Sequence, residues 1–439
     1  DPIMDLRTYL EDADGVLEKW SSTLLSEDAP AISDSYRAIQ TAKMLEAQHQ
    51  FDTNQMNEDA GYNVSGNVKT PNPVLISMVR RAAPVLMAYD LAGVQTMSQR
   101  TGLVFCMHAH YVDTGEPGNK GAEALVDEPN TGFTGVSGNT DTPPANSDLE
   151  TDPFAALYTT GRGKTTAAGE GDVTDEMMFT VDSVSVEAKT RNLRGSYTVE
   201  LQQDMRASHG LDAEAELSNI MSMELLRDLN REFVRTLYIV GKLGADEQST
   251  TPAGTFDVQA ETDGRWAVEK WKGLVFRMDL EANRIGRDIK YRGLGNKIIA
   301  SPDIISALFQ AGQLDTGGKS SLNGEMGKMD FTKGTYVGVL NGRYDVYVDP
   351  YTMSSNTCLI GYRGDHPWDA GIYFCPYVPF QMQRAVDDQS GQPRMFYRTR
   401  NGIVSNPFVV KGDGSRDGQD LTPAINPYFR KFKVANLTA

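Results

Sequence analysis

Apolar positions recur every three to four residues along one stretch: Leu217, Ile220, Met221, Leu225, Leu229, Phe233, Leu237 and Val240. That spacing predicts a single amphipathic helix over residues 212–240, about 29 residues and hence about 43 Å long. Its first turn holds Asp212, Glu214 and Glu216, where the positive end of the helix dipole favours carboxylates. Gly241 and Gly244 follow its end, where glycine stops a helix. The polar face carries Arg227, Arg231 and Arg235 at four-residue spacing, with Glu224, Asp228 and Glu232 beside them for ion pairing. A helix of this length reads as a strut. The run before it, residues 187–205, reads as strand and ends at the breaker His209-Gly210.

Elsewhere the period is two. Residues 102–112 put Leu103, Phe105, Met107, Ala109 and Tyr111 on one face and Val104, Cys106, His108, His110 and Val112 on the other. Residues 179–189 and 195–202 are further predicted strands. Between the first two lies a stretch rich in Gly, Thr, Asp, Asn and Pro, residues 113–176. An excursion that long is normally functional, so the whole reads as an extended β arm with an elaborated tip. Residues 1–58 read as polar helices with apolar positions Leu17, Trp20, Leu24, Leu25, Tyr36, Ile39, Met44 and Leu45. These are too few for an independent core, so the segment should pack as an arm. A helix is expected near residues 73–81. After the long helix come a helix at 266–285, a strand at 296–301, a helix at 302–311 and a Gly-rich loop at 312–327. Strands are then expected at 336–340, 344–348, 358–362, 371–374, 394–399 and 429–434. There is no βαβ series and no internal repeat, so the fold class is α+β.

With 439 residues, 40% of them hydrophobic, the chain has material for two or three folded units. The net charge of −17 opposes the basic footprint that a sequence-specific nucleic-acid reader needs. Cys106, Cys358 and Cys375 form no CxxC pair and imply reduced thiols. No apolar run is long enough to span a membrane, so no membrane partner is expected.

Candidate chemistry is sparse. His108 and His110 share a strand face with Cys106, but three such residues span about 13 Å along a strand, too far for one tetrahedral ion. No partner cluster of acids follows in sequence, and we read no metal site there. Gly161-Arg162-Gly163-Lys164-Thr165 has the tail of a phosphate-binding loop, yet Tyr158 stands where the motif requires its first glycine. The carboxylate-rich stretches 141–152 and 257–263 lack apolar surroundings that would set one acid against another. No nucleophile–base motif is present. The sequence therefore demands neither enzyme nor cofactor, although an acidic enzyme using the 161–165 loop or His108 and His110 stays open at this point. Prolines next to aromatics recur (Pro350-Tyr351, Pro367-Trp368, Pro376-Tyr377, Pro407-Phe408, Pro427-Tyr428), suited equally to contacts between chains and to core anchoring.

Several stretches taken together resemble a known family. They are MVRRAAP (78–84), GVQTM (93–97), TGLVF (101–105) and EAKTRNLRGSYTVELQQDMRASHGLDAEAEL (187–217), then IIASPDII (298–305), NGRYDVYVDPY (341–351), GYRGDHPWDAGIYFCPYVPF (361–380), FYRTRNGI (396–403) and NPYFRKFKV (426–434). In this order they resemble the major capsid proteins of T-even-like contractile-tailed bacteriophages. The match is weakest over 113–176, where that family carries an insertion domain, shorter and different here.

The resemblance implies the Hong Kong-97-type shell fold, an α+β architecture with four parts. An N-terminal arm would take 1–100, including a pro-segment-like region at 1–58. The extended β loop, or E-loop, would take 101–202, lie over a neighbouring subunit and carry the insertion at 113–176. A peripheral domain at 203–292 would hold the spine helix 212–240, and 293–383 would form the axial domain, with 384–439 returning to the peripheral domain. The implied function is self-assembly into hexamers, with pentamers as a further capsomer form, of an icosahedral or prolate head enclosing double-stranded DNA without sequence-specific binding. A paralogous pentameric vertex protein and an encapsulin-like shell are the alternatives within the same fold. Implied partners are other copies of the chain, a vertex protein, a portal, a scaffold, a prohead protease and decoration proteins, with assembly in the host cytoplasm and residence in the virion. In that family the protease cuts after Glu in an apolar-x-Glu context, which Leu25-Ser26-Glu27 and Met56-Asn57-Glu58 both have. Arg191, Arg194, Arg227, Arg231, Arg235, Trp368 and Tyr377 are the expected interface residues.

Overall fold

A computed structural model describes residues 6–25, 32, 35–58, 86–112, 120–124, 129, 131–136, 161–170, 175–245, 252–260, 262, 266–289, 292–312, 314–315, 335–352, 356–365, 369–387, 391–409 and 421–437. Its helices are α1 (Leu6–Leu24), α2 (Ser35–Glu58), α3 (Ala88–Leu91), α4 (Thr166–Gly169), α5 (Val199–His209), α6 (Ala213–Val240), α7 (Ala267–Asp288) and α8 (Pro302–Gln310). The first strands are β1 (Gly93–Val94), β2 (Thr101–Val112), β3 (Lys120–Glu123), β4 (Met177–Glu187), β5 (Lys189–Ser196), β6 (Gly241–Leu243) and β7 (Thr255–Asp257). They are followed by β8 (Lys297–Ala300), β9 (Leu314–Asp315), β10 (Thr335–Leu340), β11 (Tyr344–Val348), β12 (Thr357–Gly361), β13 (Ile372–Val386), β14 (Pro393–Ser405) and β15 (Asn426–Ala435).

Three sheets organise these strands, and the fold is α+β. One runs β1-β13-β14-β5, a second β6-β15-β12-β8-β11-β10-β9 with β7 on β15, and a third β3-β2-β4. Two compact units result: residues 1–104, 184–289 and 293–439 in one, and 105–183 with 290–292 in the other. Residues 203–289, 293–383 and 384–439 thus share a unit. β15 pairs with β12 as well as with β6 and β7.

The long helix α6 begins where its chemistry says it should. Asp212 is its N-cap and accepts from Glu214 N at 3.2 Å. Met221, Leu225, Leu229, Phe233, Leu237 and Val240 are buried, but Ile220 points out and Leu226 and Val234 are buried instead. The buried band follows the i,i+4 ridge through Met221, and Ile220 lies about 100° off that ridge.

One predicted strand is corrected. The chain leaves β5 at Ser196 and residues 199–209 form α5, not strand. Thr198 caps it by accepting from Leu201 N, Glu200 sits in its first turn, and Gly210 closes it with a left-handed φ of 67°. Part of the 113–176 stretch is also regular: β3, α4 and the Val136–Arg162 bridge lie within it. The helix expected at 73–81, most of the 312–327 loop and the acidic stretch 141–152 lie outside the described residues.

The N-terminal segment packs on its own chain. Trp20 and Leu24 of α1 and Ala42, Met44 and Leu45 of α2 are buried in the main core. Trp20 Nε1 donates to Glu46 Oε2 at 2.9 Å, Tyr36 Oη accepts from Val94 N at 3.1 Å, and Arg37 pairs with Asp90.

Candidate assembly surface

β2 and β4 form an antiparallel hairpin. Val112 N donates to Glu176 O and Ala188 N to Arg100 O, each at 2.9 Å. The two bonds are equally spaced on both strands, so Cys106 faces Asp182 and His108 faces Thr180 along the ladder. Alternation then sorts the side chains, with an unusual result. The apolar set is on the outside: Phe105 is 62% exposed, Met107 67%, Met177 53%, Phe179 69% and Val181 56%. The polar set is inside, with His108 and His110 both buried.

Inside, side chains converge more closely than strand spacing alone suggests. His108 Nε2 lies 3.0 Å from Cys106 Sγ and 3.6 Å from Asp182 Oδ2, while its Nδ1 lies 2.7 Å from Glu123 Oε1. Cys106 and His108 lean together, and the two acids arrive from β4 and β3. The acids were not legible, because only the register of two other strands places them there. His110 stacks on His108 with ring centroids 6.1 Å apart.

The expected interface arginines divide into two groups. Arg191 binds Glu232, its Nε donating at 2.9 Å, and also Asp228. Both acids hold its pKa above the ordinary guanidinium value, with the Glu232 hydrogen bond the largest cause. Arg231 donates to both carboxylate oxygens of Asp349 at 2.9 Å and lies 4.9 Å from the centre of the Tyr351 ring. Arg227 donates to Glu224 and to Tyr351 Oη. These three brace α6 to β5 and to the segment after β11. By contrast Arg194 and Arg235 are exposed and make no ion pair among the described residues. Tyr377 is half-buried under Arg400, 5.2 Å from its ring centre. Trp368 and Glu27 lie outside the described residues, and Glu58 ends α2 with its side chain outside them. In the 161–165 loop Arg162 bridges Val136, and Lys164 is paired with Asp175.

Comparison with known proteins decides what this surface belongs to. A family model described as the major capsid protein Gp23 matches residues 68–434. The chain belongs to that family. Membership in the Gp23 family makes it a structural protein of the phage virion. It is 34% identical over 434 residues to the major capsid protein of Salmonella phage ViI, covering 94% of this chain and 96% of that one. It is 33% identical to the major capsid protein of Enterobacteria phage T4, covering 99% and 100%. The T4 alignment spans 531 positions against the 439 residues here, so that relative carries stretches this chain lacks. Among solved structures the capsid of Myoviridae phage XM1 aligns at TM-score 0.40 and 7% identity, over 80% of this chain and 92% of that one. Among the described residues no helix is long and apolar enough to cross a membrane.

Proposed function

We propose that this subunit builds the head by laying the outer face of its hairpin on a neighbouring copy, closing hexamers and then an icosahedral or prolate shell around double-stranded DNA. The observation that carries this reading is the polarity of β2 and β4. Phe105, Met107, Met177, Phe179 and Val181 stand in solvent on a strand pair whose histidines are inside. Full burial of one such side chain is worth about 1.5–3 kcal/mol, so five in one patch supply ample drive for association, shared across several modest interfaces per subunit. Arg194, Arg235 and Tyr377 are offered as contact residues on the remaining surface. Arg191, Arg227 and Arg231 serve the frame of the subunit itself. Vertex protein, portal, scaffold, decoration proteins and a prohead protease acting at Glu27 or Glu58 belong to the same proposal. So does an acidic inner surface along which packaged DNA slides without being trapped.

The test is the double substitution Phe105→Asp and Phe179→Asp, with negative-stain electron microscopy for shells and circular dichroism for the fold. Subunits that fold but never close shells are the expected outcome. Closed shells at wild-type yield would overturn the hairpin's role. The mass of the N-terminus in purified heads decides cleavage: a chain beginning at Asp59 places the cut after Glu58, and one beginning at Asp28 after Glu27.

A further inference from the structure

We infer that Cys106, His108 and Asp182 form a transition-metal site, filled by zinc, that clasps β2 to β4 within the hairpin. The three donor atoms already lie within 4.8 Å of one another. His108 Nε2 is 3.0 Å from the Cys106 sulfur and 3.6 Å from the nearer Asp182 oxygen. A tetrahedral zinc ion with ligand bonds of about 2.0–2.3 Å needs donors about 3.3–3.8 Å apart, so small rotamer adjustments admit it.

The outer contacts are those of a ligating histidine. Glu123 Oε1 lies 2.7 Å from His108 Nδ1 and holds that nitrogen's proton, which leaves the Nε2 lone pair directed at Cys106 and Asp182. A carboxylate behind the imidazole fixes tautomer and ring orientation and raises ligand basicity. The donor set selects the metal: thiolate with imidazole suits zinc and disfavours calcium or magnesium. One thiolate and the Asp182 carboxylate neutralise a divalent ion, and Glu123 adds a further negative charge behind the buried imidazole.

Two neighbouring polar atoms point the same way. His110, 8% exposed, has its Nδ1 buried with no hydrogen-bond partner among the described residues, and the Thr180 hydroxyl opposite His108 is likewise unsatisfied. Orphaned buried polar atoms cost about 1–3 kcal/mol each. A water in the fourth coordination position, or His110 itself, would give them a partner. Without metal, the cluster is simply an imidazole ring between two acids and a thiol.

The experiment uses the full-length chain, stripped with chelator and titrated with Co2+ and then Zn2+. Expected are one equivalent of Co2+ per chain, a thiolate-to-cobalt charge-transfer absorption, and its displacement by Zn2+. Cys106→Ser abolishes that absorption, and Glu123→Gln weakens binding about 10- to 100-fold. Asp182→Asn, nearly isosteric, is expected to weaken binding at least as much and carries the test if Cys106→Ser does not fold. Binding below one equivalent, or a charge-transfer absorption that survives both Cys106→Ser and Asp182→Asn, would overturn the site.

Discussion

Glu281 is the residue whose charge the fold can least lose. It is fully buried in α7 and accepts from Ala245 N at 3.1 Å. Arg284 lies 3.0 Å from its Oε1, and Arg430 lies 3.1 Å from its Oε2. Arg277 Nη2 lies 2.6 Å from Oε1 but off the hydrogen-bond axis, so that contact is one of charge more than of direction. Glu281→Gln keeps the shape and an acceptor oxygen while removing the charge. Arg430 retains Asp288 at 2.8 Å, but Arg277, with a side chain only 6% exposed, faces no other acid among the described residues. Stripping one partner from a buried pair costs about 3–5 kcal/mol. At about 2.1 cal/mol/K per residue, unfolding entropy for a 439-residue chain is about 0.9 kcal/mol/K, so the melting temperature of the unassembled chain should fall about 3–5 °C. The control is Glu224→Gln, which removes the same charge from an exposed pair with Arg227 and should change stability by no more than about 0.5 kcal/mol. Net charge alone predicts the opposite sign, since removing an anion from a chain at −17 relieves repulsion. A shift below about 1 °C for Glu281→Gln, or equal shifts for both variants, would refute the reasoning.

Other outcomes follow from the same structure. Burial raises the Glu46 pKa, but hydrogen bonds from Lys19 and Trp20 outweigh it and hold the carboxyl below its ordinary value of 4.5. Its contribution is therefore present above the unfolded value and is lost as pH falls through the lowered folded one. Protection factors of the α1 amides should fall over that acid range in the wild type; an unchanged acid dependence in Glu46→Gln would remove this carboxyl as the cause. At Gly371 an added Cβ would meet Tyr428 Cβ at 2.4 Å, so Gly371→Ala should cost at least about 1–3 kcal/mol in urea unfolding, and a neutral result would show that the β15 contact yields freely. Burial pushes the Cys375 thiol up to about 12 and raises the Cys358 thiol further, so alkylation of the metal-stripped folded chain at neutral pH should reach Cys106 first, and modification of either buried thiol at a similar rate would contradict their burial.

What was legible in the sequence is what local chemistry determines. The start of α6 follows from its acidic cap, Asp212, and two further acids in the first turn, and its end from a glycine. The residue run that became α5 carried its own cap at Thr198, yet read as strand because β alternation led straight into it. Strand ends failed for a different reason. The pattern predicts a strand only at 371–374, but β13 continues to Val386 through Pro376 and Pro379. Register shifts between Pro376 and Val378 and between Val378 and Gln381 absorb the two prolines. The partners of the arginines were hidden too. Asp349, which holds Arg231, lies 118 positions away, and nothing in the helical pattern points to it.

The hairpin shows a deeper limit. Its alternation is plain in the sequence, and both faces were assigned the right members. Which face turns inward is another matter: ordinary transfer free energies put Phe105, Met107 and Phe179 in and His108 and His110 out. The chain does the reverse because the inner histidine has Glu123, Asp182 and Cys106 around it, so its burial is compensated. The outer apolar side chains remain uncompensated within one subunit. Under the proposed assembly the medium on that face is another copy of the chain, and the hydrophobic term is collected on assembly. A monomer's burial pattern therefore inverts where the shell's is ordinary. Substitutions at Phe105 and Phe179 should accordingly leave the melting temperature of the unassembled chain unchanged or raised while abolishing shells. A large destabilisation of the monomer would show instead that this face is covered within the subunit.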